Sequence, residues 1–434
     1  MTVRVGARHT TGWRATIAVA MSNYIEAGSI IAIATSLSLW QEHFGLDDLA
    51  VGLLASLSAN AFGAAAGAAI GGPLCDRYGR KFIYTYDLLL FMLGSLLAVF
   101  AASFAMLLIA FVLTGIAVGA GVTASWTYIA EEAPADRRAA HVGTAQLAWS
   151  LGPMVGYLLA AALVPLGLLG SRLIFAHLFV VAAVTWWVRR GLAESTIWTN
   201  RTTSGKQVTF LSSLRGLLTK RVNLTALLFL FGVYALWNAV AGQAGIFQPR
   251  VYDAAGFTEV TQQYLLQVVV WGCTSLTTYL GFMLLADRVS RRWLYFSGAL
   301  LGIVAWAALI YAPPGTSTLL FFAIGWGISS GIGAQAFYGL WTSELFATQY
   351  RASAQGVLFL SARIVVGLLS VWFPVMLTQL GLQGVGVIIL ALLAVALLVG
   401  TIGAPNTQGR TLQDIERERY GTSPEGEDDL AVRS

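Results

Sequence analysis

The sequence predicts an all-α polytopic membrane protein with about twelve transmembrane helices. Of its 434 residues, 57% are hydrophobic and 11% are charged, whereas roughly a quarter of the residues of a soluble domain are charged. Apolar runs of about 20 residues, the length that crosses a bilayer, recur along the chain. Because backbone polar groups in lipid must be paired within their own segment, we expect each run to be a helix.

A charged turn recurs at about half the length of the chain and predicts two pseudo-symmetric six-helix halves. The first copy is Gly71-Gly72-Pro73-Leu74-Cys75-Asp76-Arg77-Tyr78-Gly79-Arg80-Lys81, and the second is Ala286-Asp287-Arg288-Val289-Ser290-Arg291-Arg292. Asp76 and Asp287 are 211 residues apart. A further pair, Glu131 with Arg138, recurs 213 residues later as Glu344 with Arg351. Two related halves that pack face to face account for both repeats.

The apolar runs and the polar stretches between them divide the chain into four parts. We expect a first half over residues 1–190, a linker over 191–221, a second half over 222–404 and a tail over 405–434. The linker is expected to carry an amphipathic surface helix from Phe210 to Leu218, and the tail a helix near Leu412–Tyr420. The twelve spans are placed near residues 13–40, 50–74, 82–102, 104–130, 139–165, 171–189, 222–248, 262–286, 293–312, 317–343, 352–378 and 382–403.

Basic side chains are distributed unevenly across the expected membrane. Arg172 and Arg250 are the only Lys or Arg residues in the segments placed outside, and Arg363 lies inside a span, which leaves 23 of the 26 on the other side. This is the positive-inside pattern, so we place both termini in the cytoplasm and the protein in the cell membrane. The pattern also accounts for the net charge of +5 without a nucleic-acid partner. We expect a monomer.

Several residues inside the spans are expected to serve packing. One helix face carries three glycines and predicts a close helix–helix contact: Gly63, Gly67 and Gly71. Cys75 and Cys273 are expected to be free packing residues. Asp87 is expected to pair with the basic loop before it, and His177 to make a local hydrogen bond.

The charged turn carries a family resemblance. Asp-Arg-x-Gly-Arg-Lys, here Asp76 to Lys81, resembles the loop between helices two and three of the major facilitator superfamily. The segments after helices six and twelve, Ala193-Glu194-Ser195-Thr196 and Pro405-Asn406-Thr407-Gln408-Gly409-Arg410, resemble loop signatures of its sugar porters and of their organic-ion and metabolite:proton symporter relatives. Ala193, Thr196 and Asn406 depart from those signatures, so the chain resembles a divergent member. The resemblance implies the major facilitator fold and a transporter.

Charged residues at the expected cytoplasmic helix ends are candidate gates. Partly desolvated ion pairs there can tie the two halves together in one state and break in the other, which supplies the contacts that alternating access needs. The alternative is that they are solvated surface pairs of little energetic value. The candidates are Asp76, Arg77, Arg80, Glu131, Arg138, Glu194, Asp287, Arg288, Glu344 and Arg351.

Glu26 is the candidate proton-coupling residue. It lies near the centre of the first span, in Ser22-Asn23-Tyr24-Ile25-Glu26-Ala27-Gly28. Placing an ionisable side chain at this depth costs free energy, so its presence indicates a functional role. Burial disfavours the charged form of a carboxyl, so such a group can exchange a proton. In the proton-coupled sugar porters and metabolite symporters that the chain resembles, an acidic residue occupies this part of helix one. The alternative is a carboxyl held permanently by a structural partner.

Arg363 is the second ionisable residue placed near mid-membrane. A guanidinium does not neutralise itself by losing a proton, so it needs an anion nearby. That anion could be a substrate carboxylate or phosphate, or Glu26 itself. Sugar porters usually have a Trp at about this place and the organic-anion branch has an Arg, so the resemblance favours an acidic or strongly polar substrate. A structural ion pair remains the alternative.

Amide and aromatic side chains within the spans complete the candidate substrate site. Gln146, followed by Gly152, resembles the sugar-binding Gln of sugar porters, whereas their Gln-Gln pair in helix seven is missing here. A polar ligand cage can still be formed, against the alternative that these side chains serve packing or anchor the membrane interface. Besides Arg363, the candidates are Gln146, Asn238, Gln243, Gln335, Tyr338, Asn23 and Trp126.

These observations together predict a secondary active transporter that takes up a small polar metabolite with protons. A sugar-like compound, a sugar acid or an organic acid would fit. Alternatives are a passive sugar or polyol uniporter, a drug or metabolite:proton antiporter, and a nutrient receptor on the same fold. The expected partners are the substrate, protons and the lipid bilayer. The sequence shows no metal-ligand spacing, nucleophile arrangement or phosphate loop, so we expect no cofactor, no metal and no enzyme activity.

Overall fold

The structure, a computed structural model, describes residues 13–132, 138–192, 194, 199 and 210–421. These residues form helices joined by short turns, with no strand among them. In chain order the helices are α1 Trp13–Ala34, α2 Leu37–Phe44, α3 Asp48–Ser56, α4 Phe62–Tyr78, α5 Arg80–Val99, α6 Phe104–Glu132, α7 Arg138–Leu163, α8 Leu168–Arg189, α9 Phe210–Thr219, α10 Arg221–Ala254, α11 Val260–Met283, α12 Arg291–Tyr311, α13 Thr316–Gly331, α14 Ala334–Leu345, α15 Thr348–Ile402 and α16 Leu412–Tyr420.

The prediction of about twelve spans is confirmed for the described part of the chain. Ten helical segments are long and apolar enough to cross a membrane. One of them, within α15, consists of two arms that join at Gly381, whose φ of 67° and ψ of 178° are not helical. The successive helices α3 and α4 supply one further crossing, which brings the total to twelve. The amphipathic linker helix and the tail helix are present as α9 and α16.

Three of the predicted spans are broken where continuous helices were expected. The breaks lie at residues 35–36, 57–61 and 332–333, so that α1, α3 and α13 are each followed by a separate helix. In the second break, the Ser58 hydroxyl donates to the Ala55 carbonyl at 2.6 Å and accepts from the Asn60 amide at 3.1 Å. Such local bonds compete with the helical hydrogen-bond ladder. In two of the breaks a backbone carbonyl bonds to another helix: Thr35 accepts from the Tyr264 hydroxyl at 3.1 Å, and Asn60 accepts from Arg363 at 2.9 Å.

The glycine face of α4 packs against α6, as predicted. Added Cβ atoms on Gly63, Gly67 and Gly71 would collide with the backbone or side chain of Gly115, Ile116 and Ala120, respectively. Close backbone approach is therefore possible only because these positions lack side chains. Neither cysteine forms a disulfide bond within the described structure; Cys75 is buried and Cys273 partly buried.

The bundle has two distinguishable ends. The charged-loop end carries the starts of α5 and α12, and the opposite end carries the connections between α2 and α3 and between α10 and α11. At the opposite end, Arg250 Nη1 on α10 lies 3.1 Å from Asp48 Oδ1 on α3, and Arg250 also bonds to Gln41. Gly52 on α3 packs directly on the Val371 carbonyl of α15. The two halves therefore touch closely at the opposite end.

The linker helix and the tail helix both attach to the charged-loop end of the second half. Leu217 of α9 is fully buried. The Tyr420 hydroxyl on α16 donates to Asn223 Oδ1 at 2.5 Å and accepts from the Ala347 amide at 3.2 Å. Burial raises the pKa of Tyr420, which keeps this hydroxyl a neutral donor. Arg419 donates to the Leu345 carbonyl at 3.1 Å.

Asp87 forms a structural pair, as predicted, but with a partner that the sequence did not indicate. Arg189 at the end of α8 lies 3.9 Å from Asp87, and both side chains are buried. Arg189 also donates to the Ala18 and Val19 carbonyls of α1 at 2.8 and 2.7 Å. The expected local contact of His177 is present, with its Nε2 3.5 Å from the Tyr24 hydroxyl.

The contact between α4 and α6 predicts different effects for two glycines of the same helix. Gly67→Ala should lower the midpoint of thermal unfolding in detergent, because its Cβ would overlap the Ile116 carbonyl and such overpacking costs about 1 to 3 kcal/mol. Gly72→Ala is the matched control, since no heavy atom lies within 4 Å of its Cβ position. Equal midpoints for the two variants would contradict the packing assignment.

Candidate functional site

A buried ion pair joins the two halves near the middle of the bundle. Arg363 on α15 bonds through Nη2 to Glu26 Oε1 on α1. Glu26 is 1% exposed and Arg363 3% exposed. Of the partners that the sequence left open for Arg363, the structure brings it together with Glu26. The pair therefore joins a helix of the first half to a helix of the second half.

The break between α3 and α4 positions the arginine. Arg363 Nη1 donates to the Asn60 carbonyl at 2.9 Å, which an uninterrupted helix would have used internally. The Asn60 side chain in turn donates to the Gly242 carbonyl of α10 at 3.1 Å. The guanidinium carbon also lies 4.7 Å from the centre of the Phe359 ring. Besides Glu26, Arg363 therefore contacts Phe359 on α15 and Asn60 in the break between α3 and α4.

A narrow central cavity lies beside the ion pair. Asn238 and Gln335, both predicted substrate ligands, line it together with Arg363 and Asn60. The Trp149 indole lies beside Glu26 but makes no hydrogen bond of normal geometry. Gln335 directly follows the break between α13 and α14, where broken transmembrane helices commonly bind ligands. The cavity thus combines amide groups, an arginine and aromatic walls.

An aromatic layer separates the ion pair from the charged-loop end. Asn23 accepts from Trp126 Nε1 at 2.6 Å and donates to the Ser125 hydroxyl at 3.2 Å. Trp126 packs on Tyr338 with ring centroids 5.6 Å apart, and Tyr338 stacks on Tyr234 at 3.9 Å. Tyr234 lies in a π-helical stretch of α10, Phe231–Ala235, and such bulges are frequent at functional sites. Asn23, Trp126 and Tyr338 therefore form a layer across both halves.

Two predicted ligands have other surroundings. Gln243 donates to the Val366 carbonyl at 3.1 Å and accepts from the Ser370 hydroxyl at 3.2 Å. It joins α10 to α15 in this conformation and does not line the central cavity. Gln146 on α7 is buried, and both atoms of its amide lack hydrogen-bond partners, so it remains available to a ligand.

In the first half, the charged-loop residues hold the start of α5. Glu194 accepts from the backbone amides of Arg80 and Lys81 at 2.9 and 3.0 Å. A carboxylate at a helix N-terminus satisfies free amides and interacts favourably with the helix dipole. Arg77 is exposed and lies over the Tyr78 ring. The side chains of Asp76, Glu131 and Arg138 lie outside the described residues.

In the second half, Arg291 is the centre of the charged network. It bonds to both oxygens of Glu344 at 3.1 and 2.9 Å, to Asp287 at 2.8 Å and to Thr407 at 3.1 Å. The sequence prediction named Arg288 instead, but Arg288 is exposed. Arg291 aligns with Arg80 of the first copy, 211 residues earlier, so the repeat itself contained the signal that the prediction overlooked. Arg351 is buried and donates to the Phe346 carbonyl at 3.4 Å.

The contacts described for these charged networks do not cross from one half to the other. Glu194 of the linker bonds to the Arg80 amide of the first half. Thr407 of the tail bonds to Arg291 and Glu344 of the second half. The expectation that charge pairs at this end tie the halves together stays a prediction. The described contacts between the halves include the central ion pair, the polar contacts of Arg250, the bond from the Asn60 amide to the Gly242 carbonyl and the aromatic layer.

Asn60 and Trp149 are the site residues that sequence analysis did not name. The signal for Asn60 was the Ser58-x-Asn60 spacing, two side chains that often bond to their own backbone, in the middle of an apolar run. Trp149 follows Gln146 by three residues and so shares its helix face. No cluster of His, Cys, Asp and Glu that could hold a metal occurs among the described residues.

Comparisons with known proteins agree with this architecture. The sequence model of the Major Facilitator Superfamily matches residues 15–364. The minor myo-inositol transporter IolF of Bacillus subtilis (strain 168) is 41% identical over 412 residues, 94% of either chain. The arabinose-proton symporter of Escherichia coli (strain K12) is 28% identical over 302 residues, 64% of this chain and 63% of that one. A crystal structure of the proton:xylose symporter XylE bound to 6-bromo-6-deoxy-D-glucose superimposes with a TM-score of 0.75 over 93% of this chain and 98% of that one, at 21% identity.

The central pair predicts strong coupling between two substitutions. Glu26→Gln and Arg363→Met should each lower the thermal unfolding midpoint of the ligand-free protein, because each leaves one buried charge without its partner, at a cost of about 3 to 5 kcal/mol. The double variant should lose much less than the sum of the single losses. Arg77→Met serves as the exposed control and should change little. Additive losses would show that the two side chains do not interact.

Proposed function

This chain belongs to the Major Facilitator Superfamily, and we propose that it takes up a neutral cyclic polyol of the inositol type together with protons. The observation that carries the proposal is the ion pair between Glu26 and Arg363, which lies between the halves and borders the central cavity. The relatives named as a myo-inositol transporter and an arabinose-proton symporter support the substrate class and the coupling ion.

The charge balance of the cavity favours a neutral substrate over an acidic one. Arg363 is already compensated by Glu26. While Glu26 is ionised, an anionic substrate would have to displace this carboxylate, which would then be buried without a partner, at a cost of several kcal/mol. A polyol needs only donors and acceptors, and the amides of Asn238 and Gln335 in the cavity wall supply both. An inositol-like molecule therefore fits without a charge exchange.

Proton binding and polyol binding are coupled through Arg363. A proton on Glu26 removes the negative charge that holds the guanidinium. The N–H groups of Arg363 are then free to donate to a substrate hydroxyl in the same cavity. Because coupling between two ligands is reciprocal, a bound polyol must favour the protonated form of Glu26 to the same extent. Arg363 retains the Asn60 carbonyl throughout this exchange.

The proposal includes an orientation of the protein in the membrane. We place the charged-loop end in the cytoplasm, with both termini, because the basic side chains concentrate there. The contacts of Arg250 with Asp48 and Gln41 then close the outer side. Residues 1–190 and 222–404 act as the two moving halves of a monomer, with 191–221 as linker and 405–434 as tail. The charged networks at the inner side act as gates that change between states.

The substrate assignment predicts direct uptake. Purified protein in liposomes should accumulate labelled myo-inositol when the outside is more acidic than the inside, and excess unlabelled inositol should compete. Accumulation should collapse when a protonophore removes the gradient. Equilibration without accumulation would identify a uniporter, and proton-driven efflux an antiporter, and either result would contradict the proposed symport.

The role of Glu26 predicts a separation of two transport modes. Glu26→Gln should abolish accumulation driven by a pH gradient but retain exchange of labelled for unlabelled inositol, because the neutral amide resembles the protonated carboxyl. Glu42→Gln, at an exposed carboxyl near the opposite end, is the matched control and should accumulate normally. Gradient-driven uptake at the wild-type level in Glu26→Gln would exclude Glu26 as the coupling site.

A further inference from the structure

A chamber lined by tryptophan adjoins the central cavity. It lies among α7, α10, α11 and α13, and it shares Trp149 and Trp271 with the cavity beside Arg363. These two rings meet edge to face, with centroids 5.1 Å apart. Trp237 and Trp326 also line the chamber and stack with centroids 6.2 Å apart. The chamber is an aromatic extension of the cavity; in this conformation its free volume is about 10 Å³, so it must widen to admit a ring.

Buried polar groups in this chamber lack partners. Gln248 is 1% exposed, and neither its Nε2 nor its Oε1 forms a hydrogen bond. The Tyr252 hydroxyl accepts from Gln267 at 2.8 Å and lies close to Gln248, but the geometry between Tyr252 and Gln248 is not that of a hydrogen bond. The indole N–H groups of Trp237 and Trp271 are likewise buried and unpaired. A buried polar group without a partner costs about 1 to 3 kcal/mol.

The chemistry of the walls selects the kind of ligand. Indole faces pack well against the C–H surface of a saturated six-membered ring, whereas the unpaired amide and indole groups require a partner that both donates and accepts. Ring hydroxyls do both. The residues that line the chamber include no Lys or Arg, so a carboxylate or phosphate would find no counter-charge there. A polyhydroxylated ring satisfies both requirements.

We propose that this chamber is a binding subsite for the hydroxylated ring of the substrate, and that Gln248 determines specificity by a hydrogen bond with one ring hydroxyl. The inference rests on the proposed polyol transport and adds where the ring lies and which side chain selects it. Glu26 and Arg363 then act at one edge of the ligand, and Gln248 at another.

Ligand-free stability gives the first test. Gln248→Met keeps the volume and removes the unpaired amide, so the variant should unfold at the same or a higher temperature than the wild type. The matched control is Gln263→Met, a buried glutamine outside the chamber whose amide donates to Asp253 at 2.7 Å and to the Phe257 carbonyl at 2.6 Å. This control should unfold at a lower temperature. A drop for Gln248→Met as large as for Gln263→Met would show that Gln248 is a structural residue and overturn the proposal.

Binding gives the second test, with myo-inositol and a set of monodeoxy-inositols as probes. Gln248→Met should bind myo-inositol about tenfold more weakly than the wild type, the effect of one lost hydrogen bond. The wild type should bind one monodeoxy-inositol about tenfold more weakly than myo-inositol. Gln248→Met should bind this monodeoxy-inositol and myo-inositol with equal affinity. Gln263→Met should discriminate between the two as the wild type does. Equal affinities of wild type and Gln248→Met, or the same ranking of all probes by both, would overturn the subsite and leave polyol transport standing. A wild type that binds none of the probes would overturn both.

Discussion

An arginine in the middle of a membrane must have its charge compensated, and the rest of the structure depends on this requirement. Arg363 meets it with the Glu26 carboxylate and the Asn60 carbonyl. Both partners lie on the first half of the bundle, whereas Arg363 belongs to the second. Compensation of the charge is thus possible only while the halves are in contact at this level. The break in the second span contributes to this compensation, because it makes the Asn60 carbonyl available to Arg363.

The polar contacts between the halves lie at the centre and at the opposite end of the bundle, whereas the Arg291 contacts lie at the charged-loop end. The central pair and the contacts of Arg250 cross between halves. The bonds of Arg291 to Glu344 and Asp287 join residues of the second half. A rocking motion of the halves would have to break the first kind of contact, whereas these bonds of Arg291 do not cross between the halves.

The sequence predicted the number and order of spans because their signal is local, an apolar run of sufficient length. It indicated Glu26 and Arg363 as candidate site residues because charged side chains at mid-membrane are few and their charges must be compensated. It could not predict which way an amide faces, since that depends on neighbouring helices. Gln243 therefore proved to join two helices, and Gln248, in the same helix, was not recognised. The helix breaks were missed because Ser58 and Asn60 are compatible with a continuous helix until their local hydrogen bonds are seen.

The connection at Gly381 has a consequence for biosynthesis. Only this residue, with its positive φ, separates the arm of α15 that carries Arg363 from the last membrane-spanning arm. We expect a link this short to favour joint insertion of the two arms as a hairpin. The cost of transferring an arginine into the membrane would then be shared with the strongly apolar last span.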